Sequence, residues 1–348
     1  MDQIENKKNI SIVGGEKGSG SKKRYIMVSF ALIIAILFVG TYFYFQNSFN
    51  LDNVVKENNN AITNNTEAYK KIAYVGFGTS GQPFWVAMGK FSEEAALARK
   101  IIFMDLTSEI ASPDAQIASL NLAIDQHVDG IILGANLPST LLTVLDRAYK
   151  ANIPVVAIDT AVDSPAIVSF IATDNLENAR VAGDFIVNAT KAKGTVLILC
   201  GEKTHPNSIA SEKGVREKAE KAGMNVISRY ADWQIEKAYQ YANEELSKPN
   251  NITAIFGCWD PGIISAEKAV EDKGLQGKII LIGFDGLQEA FKDIQAGKIL
   301  AVVAQPIKQE AIAGVETIMD YLNKKTVEKI KLIPGILVNK TNVGYFLD

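Results

Sequence analysis

The sequence predicts an α/β protein with two similar doubly wound parallel-sheet domains, a hinge and cleft between them, and an N-terminal transmembrane helix. Three observations carry this. From Tyr69 onward, short apolar runs of strand length alternate with helical stretches. The alternation repeats itself at an offset of 122–126 residues. Before it stands an uncharged apolar run, Tyr25 to Phe45, with Lys22, Lys23 and Arg24 on its amino side.

Residues 1–24 are polar and carry a glycine/serine patch, GGEKGSGS. No Gly-Lys-Ser/Thr follows at the spacing of a phosphate loop, so the segment reads as a disordered cytoplasmic tail. The run 25–45 is long enough to cross a hydrocarbon core of ~30 Å at ~1.5 Å per residue. The basic cluster before it predicts an inside N-terminus and an extracytoplasmic remainder. Tyr42, Phe43, Tyr44 and Phe45 form an outer interfacial belt. A cleaved signal would have an apolar region of about 7–15 residues and small residues at the cut. This run is longer, ends in TYFYFQNSFN, and has no cysteine after it for lipid attachment. A retained single-pass anchor in the cell membrane is therefore expected. Residues 46–69 are rich in asparagine and poor in apolar residues, which describes a flexible stalk.

The strand-like runs are KIAYVGF, KIIFMDL, DGIILGA, PVVAIDT, IVSFIAT, GTVLILC, MNVISRY, ITAIFGC, IILIGFD and ILAVVAQ. Helical stretches such as 84–99, 114–126, 140–151, 177–190, 236–246 and 263–273 separate most of them. Buried runs alternating with helices mean βαβ units and parallel sheets. Val75 matches Leu197, Gly134 matches Gly257, and Asp159 matches Asp285. Two Rossmann-like or flavodoxin-like halves follow, each with its own sheet. The cleft between them is the expected site, because ligand pockets favour domain interfaces.

Composition excludes several functions. The 348 residues are 47% hydrophobic and 22% charged, with a net charge of −3, which leaves no basic footprint for nucleic acid. Two scattered cysteines and two scattered histidines supply no metal-ligand spacing. Cys200 and Cys258 both end apolar runs and read as buried thiols. No Gly-x-Ser-x-Gly elbow is present, and His205 lies in a loop without a nucleophile placed beside it by any motif. A binding protein rather than an enzyme is expected, with no metal and no cofactor.

The residues of the cleft come from strand ends. In Lys70–Trp85 a buried strand and a glycine-rich turn lead into a helix at Pro83, a residue suited to the first helical position. Gln82, Phe84 and Trp85 are thereby delivered to the carboxyl edge of a first strand, beyond which α/β sheets bind ligands. The turn, GFGTSG, also fits the dinucleotide fingerprint G-x-G-x-x-G, and Asp105 closes the next strand. A nicotinamide-dependent oxidoreductase is the alternative function. Against it, the third glycine precedes the helix instead of lying inside it, and two aromatics fill the place of a pyrophosphate. Asp159 and Asp285 each end a strand, one in each half, and could accept hydrogen bonds from hydroxyls held between them. Either could equally be a turn or helix-capping aspartate. Gln305 also ends a strand, or else bridges backbone at a crossover. Phe84, Trp85 and Trp259 offer flat faces to sugar C–H groups; the simpler alternative is core packing, into which Trp259 fits least readily.

From about Lys70 the chain resembles the ribose/galactose-type periplasmic binding proteins, whose fold also serves the effector domains of some repressors. GQPFW (81–85), VDGIIL (128–133), ANIPVVAIDT (151–160), IATDN (171–175), LIGFDG (281–286) and AVVAQPIKQEAIAGVE (301–316) carry the resemblance. It implies a ligand between hinged domains, lined by Gln82, Phe84, Trp85, Asp159, Phe284, Asp285 and Gln305. It implies chain crossings near Thr173–Asp174, Gln305–Pro306 and Gly335. The domains are then 70–173 plus 306–335 and 174–305 plus 336–348. Two positions depart from the family pattern: Ser211 stands where ribose-type members carry arginine, and Trp259 precedes Asp260 where they carry asparagine; Ser211, Trp259 and Asp260 are expected to bind the ligand with the residues above. Ribose therefore does not follow as the ligand, and loss of the arginine disfavours an anionic one. The function expected is that of a membrane-anchored extracytoplasmic receptor for a small polyhydroxylated ligand of the sugar class. Its membrane partner would be an ABC permease or a sensor histidine kinase, as in related sugar sensors.

Overall fold

The computed structural model describes residues 69–347. The expected tail (1–24), membrane helix (25–45) and nearly all of the stalk (46–69) lie outside the described residues. Among the described residues no helix is long and apolar enough to cross a membrane.

Two six-stranded sheets form. The first holds β1 (Lys71–Val75), β2 (Ile102–Asp105), β3 (Gly130–Leu133), β4 (Val155–Ile158), β5 (Ile167–Ala172) and β11 (Ile330–Leu332). Its order is β11-β5-β4-β3-β1-β2, and every pairing is parallel. The second holds β6 (Thr195–Cys200), β7 (Asn225–Tyr230), β8 (Ile252–Gly257), β9 (Ile280–Asp285), β10 (Ala301–Ala304) and β12 (Ile336–Asn339). Its order, β12-β10-β9-β8-β6-β7, repeats the first winding strand for strand. The one difference is that β12 runs antiparallel to β10.

The helices of the first half are α1 (Pro83–Leu97), α2 (Pro113–Asp125) and α3 (Leu142–Lys150). Next come α4 (Asn175–Thr190), α5 (Pro206–Lys221), α6 (Ile235–Leu246), α7 (Asp260–Asp272) and α8 (Gln288–Ala296), and finally α9 (Ile307–Leu322). Proline opens α1, α2 and α5, where its missing N–H has no helical partner to lose. Ser112 caps α2 by accepting from Ala115 N, and Asp174 caps α4 by accepting from Glu177 N.

Burial on both faces explains the unbroken apolar runs. In β1, Ile72 and Tyr74 face a core shared with α1 and α9, while Ala73 and Val75 face another shared with α2 and α3. The second sheet is enclosed in a single apolar cluster. The chain passes between the sheets three times: after β5, after β10, and between β11 and β12. The strands β11 and β12 fall outside the alternation because they are short, lie at sheet edges and are largely exposed or half-buried.

Gly134 follows β3 at the mouth of this scaffold. A Cβ there would stand 2.1 Å from Cζ3 of the Trp85 ring. The ring is buried, and the Trp85 carbonyl accepts a hydrogen bond from Tyr74 Oη at 3.1 Å. Gly134→Ala is expected to lower stability by about 1–3 kcal/mol, the usual cost of overpacking, read as a lower melting temperature. An unchanged melting temperature would show that the ring turns aside freely.

Candidate functional site

The site is built on two strand ends. Asp159 follows β4 and Asp285 ends β9, and both have positive φ, +65° and +124°. Such backbone costs a non-glycine residue on the order of 1–3 kcal/mol and persists where the surroundings enforce it. Asp159 Oδ2 accepts from Thr160 Oγ1 at 2.7 Å and from Asn207 Nδ2 at 2.9 Å. Asp285 Oδ1 accepts from Gln305 Nε2 at 3.0 Å, and its Oδ2 accepts from Asp260 N at 3.3 Å. Burial raises the Asp159 carboxyl to about 6, against the pull of its two donors. Burial, and then the charge of Asp260, push Asp285 well above the ordinary carboxylate range.

Both carboxylates line one cavity, whose empty space, open solvent at its mouth included, is about 590 Å³. Nine of the residues expected in the cleft line it: Gln82, Phe84 and Trp85; Asp159 and Ser211; Trp259; Phe284 and Asp285; and Gln305. Gln82 and the two aromatics arrive with the first turn of α1, Ser211 with α5, and Gln305 just past β10. Among the described residues, no lysine or arginine lines the cavity.

Asp260 is a correction. It is wholly buried and lies behind the wall rather than in it. Its Oδ2 accepts from Gly286 N at 2.8 Å and Leu287 N at 2.7 Å, so it faces backbone. Burial raises it to about 7. Trp259 is a second correction, since it belongs to the core as well as to the cavity. Its ring sits in the apolar cluster of the second half and meets Trp233 edge-on, with centroids 5.5 Å apart.

The sequence reading missed Asn136, Asn175, Asn207 and Trp233. Trp233 follows a strand end much as Trp259 does, and the same rule applied to SRYADW finds it. Asn136 is harder to find. Gln116, from α2, donates to the carbonyls of Gly76 and Gly134 at 3.0 and 2.8 Å, and its Oε1 accepts from Asn136 N at 3.3 Å. No local pattern announces that brace. His205 caps α5, its Nδ1 accepting from Asn207 N at 3.1 Å, which leaves the proton on Nε2. Burial lowers its pKa to about 4, so the ring that lines the cavity is neutral.

Side-chain bonds cross the cleft between the halves: Asn207 Nδ2 donates to Asp159 Oδ2 at 2.9 Å and, at 3.4 and 3.5 Å, to Thr160 Oγ1 and the Asp159 carbonyl, and Asn136 Nδ2 donates to Glu202 Oε1 at 3.1 Å. Among the described residues, two buried polar atoms on lining residues have no partner, Trp233 Nε1 and Gln305 Oε1. Four amides in and beside the glycine turn, by contrast, are spent internally. Gly76 N donates to Thr107 Oγ1, Thr79 N to Ser108 O, Ser80 N to Glu109 O and Gln82 N to Thr79 O. These donors are not free to hold a pyrophosphate, so nothing here favours the dinucleotide alternative. Cys200 and Cys258 are buried free thiols.

Residues 72–326 match the periplasmic binding protein domain family. The D-allose-binding periplasmic protein of Escherichia coli (strain K12) is 28% identical over 295 residues, 79% of this chain and 94% of that protein. The ribose import binding protein RbsB of Bacillus subtilis (strain 168) is 26% identical over 264 residues, 75% and 85% of the two chains. Among solved structures, an ABC transporter periplasmic solute binding protein from Actinobacillus succinogenes 130z with bound D-allose matches with a TM-score of 0.74. It is 23% identical and covers 79% of this chain and 99% of that one, a likeness of fold.

Burial of Asp159 has a measurable consequence. Its carboxyl moves from 3.8 to about 6, so the folded protein holds the proton more tightly than the unfolded chain does. The stability this supplies is fully present below the unfolded value of 3.8 and is lost as the pH rises through about 6. At 1.36 kcal/mol per pH unit the loss is at most about 3 kcal/mol. The ligand-free Asp159→Asn variant, which has no such proton to lose, should gain in melting temperature on the wild type between pH 4 and pH 7. Parallel curves would show that Asp159 titrates as an ordinary carboxyl.

Proposed function

The chain belongs to the periplasmic binding protein domain family, and on that premise we propose that it is an extracytoplasmic receptor for a small, neutral, polyhydroxylated ligand of the sugar class. The observation that carries this reading is the unfinished polar balance of the cavity. Trp233 Nε1 has a hydrogen to give, Gln305 Oε1 has lone pairs to fill, and the carboxyl oxygens of Asp159 and Asp285 accept few bonds, none on Asp159 Oδ1 among the described residues and one on each oxygen of Asp285. A hydroxyl gives one hydrogen and accepts two, so a polyol satisfies both kinds of vacancy at once. The rings of Phe84, Trp85, Trp233 and Trp259 supply apolar faces for its C–H groups. The relatives named for D-allose and ribose support the same class.

In this reading Gln82, Phe84, Trp85 and Asp159 from one half, with Ser211, Trp259, Phe284 and Asp285 from the other, close on the ligand with Gln305 at the crossover. The halves, 70–173 plus 306–335 and 174–305 plus 336–348, turn as rigid bodies about the three chain crossings. A ligand held by both strand-end aspartates favours the closed arrangement. The apolar run 25–45 anchors the protein in the membrane, with residues 1–24 inside. The closed face is then read by an ABC permease or by a sensor histidine kinase, and the fixed anchor with its cytoplasmic tail suits a sensor somewhat better. The relatives are binding proteins, which supports a receptor over an enzyme.

The test is a melting-temperature panel of D-allose, D-ribose, D-tagatose and myo-inositol beside NAD, followed by calorimetry on the best binder. At least one neutral sugar or polyol should stabilise the protein, and NAD should not. Asp285→Ala leaves Gln305 Nε2 and a ligand hydroxyl unpaired, at about 1–3 kcal/mol, and should weaken binding roughly tenfold to a hundredfold. Stabilisation by NAD alone would overturn the reading, and unaltered affinity in Asp285→Ala would make that aspartate a turn residue only.

A further inference from the structure

We propose that Asp260 is a positioning residue, which aims the Asp285 carboxylate into the cavity without itself meeting the ligand; this rests on the binding site proposed above. Asp260 is the first residue of α7, is 0% exposed and lies outside the cavity lining. Three hydrogen bonds join it to the end of β9. Gly286 N and Leu287 N donate to its Oδ2 at 2.8 and 2.7 Å, and its own N donates to Asp285 Oδ2 at 3.3 Å. The bonds run both ways between helix start and strand end, so neither can turn alone.

The residues inside this clasp have backbone that strongly favours glycine. Asp285 has a φ of +124° and Gly286 a φ of +90°. A Cβ on Gly286 would stand 2.5 Å from Ala304 Cβ and 2.9 Å from Ala304 Cα. The corner is therefore pressed against β10 on one side and tied to α7 on the other. Free of the tie, Asp285 would relax toward negative φ, and its carboxylate would swing away from Gln305 Nε2, which now donates to it at 3.0 Å. A Cβ on Gly283 would fall 2.7 Å from Asp260 Oδ1, and that oxygen has no hydrogen-bond partner. A buried carboxylate with one oxygen idle is costly to keep, and its other oxygen serves only the corner of β9.

The test compares Asp260→Ala and Asp260→Asn in the full chain, each also combined with Asp285→Ala. Amide hydrogen exchange at Gly286 and Leu287 is measured without ligand, and affinity is measured with D-allose. Asp260→Ala should speed exchange at both amides by at least about tenfold and weaken D-allose about tenfold or more. Asp260→Asn, whose side-chain oxygen still accepts from both amides, should restore most of each. In the Asp285→Ala background, Asp260→Ala should change affinity less than about twofold, because the two act as one unit. Should Asp260→Ala fail to fold, Asp260→Ser takes its place, its hydroxyl being too short to reach both amides. Unchanged exchange, or affinity losses that multiply independently, would overturn the proposal. If D-allose fails to bind the wild type, the sugar reading loses that probe, while the exchange result needs no ligand and still decides the role of Asp260.

Discussion

Two carboxylates are held out of water at facing strand ends, on backbone with positive φ, and the rest of the site is arranged around keeping them there. Burying a charge without partners is costly. Each aspartate is accordingly met by side-chain donors: Thr160 and Asn207 on Asp159, Gln305 on Asp285. The donors still leave both carboxyls above their ordinary range. The parallel sheets enter through geometry. All the strands of one sheet's parallel core deliver their carboxyl ends to one edge. Duplication of that sheet sets two such edges against one cavity, so equivalent strands, β4 and β9, contribute equivalent residues. Neither half alone supplies both acceptors.

Coupling between binding and closure follows from where the donors come from. Asn207 belongs to α5 and Asp159 to the first half, so the bond that satisfies this carboxylate also ties the halves together. Asn136 and Glu202 make a second tie of the same kind. An opened cleft would hand Asp159 to water, which is a good partner for a carboxylate, and would remove much of its burial cost. Closure without a ligand thus exchanges water for a few side-chain donors and leaves Trp233 Nε1 and Gln305 Oε1 with none. On the proposed reading, a ligand that fills those vacancies would favour the closed arrangement.

The fold was legible because both sheet faces are buried, which turns each strand into an unbroken apolar run, and because the halves repeat. The strand-end residues were legible for the same reason: Asp159, Asp285 and Gln305 each follow such a run, and Pro83 marks the turn that presents Gln82, Phe84 and Trp85. What escaped reading depends on contacts distant in sequence. Asn136, in the loop after β3, owes its place to Gln116 on α2. Asn207 lies in a helix start that gives no sign of reaching Asp159. Asp260 is expected in the cavity from its place in the family's asparagine–aspartate pattern, yet its side chain turns back to Gly286 and Leu287. Adjacent residues at a helix start point in different directions, so sequence neighbourhood alone could not separate the two roles. The edge strands β11 and β12 are too short and too exposed to print a pattern.

Trp259 shows why core and site were a false choice. The ring is 6% exposed, packs in the cluster behind the second sheet, and lines the cavity with its remaining surface. A Cβ on Gly262 would lie 2.7 Å from it, and Trp233 abuts it edge-on. Trp233 in turn covers Gly201 so closely that a Cβ there would fall 2.1 Å from the ring, and His205 meets its other edge at 5.3 Å. The rings thus brace one another from the core outward. A wall that must keep its shape while water is expelled is best made from groups already fixed by packing. The glycines at 201 and 262 are then requirements of the site, since only a residue without a side chain lets the two indoles lie that close to the backbone.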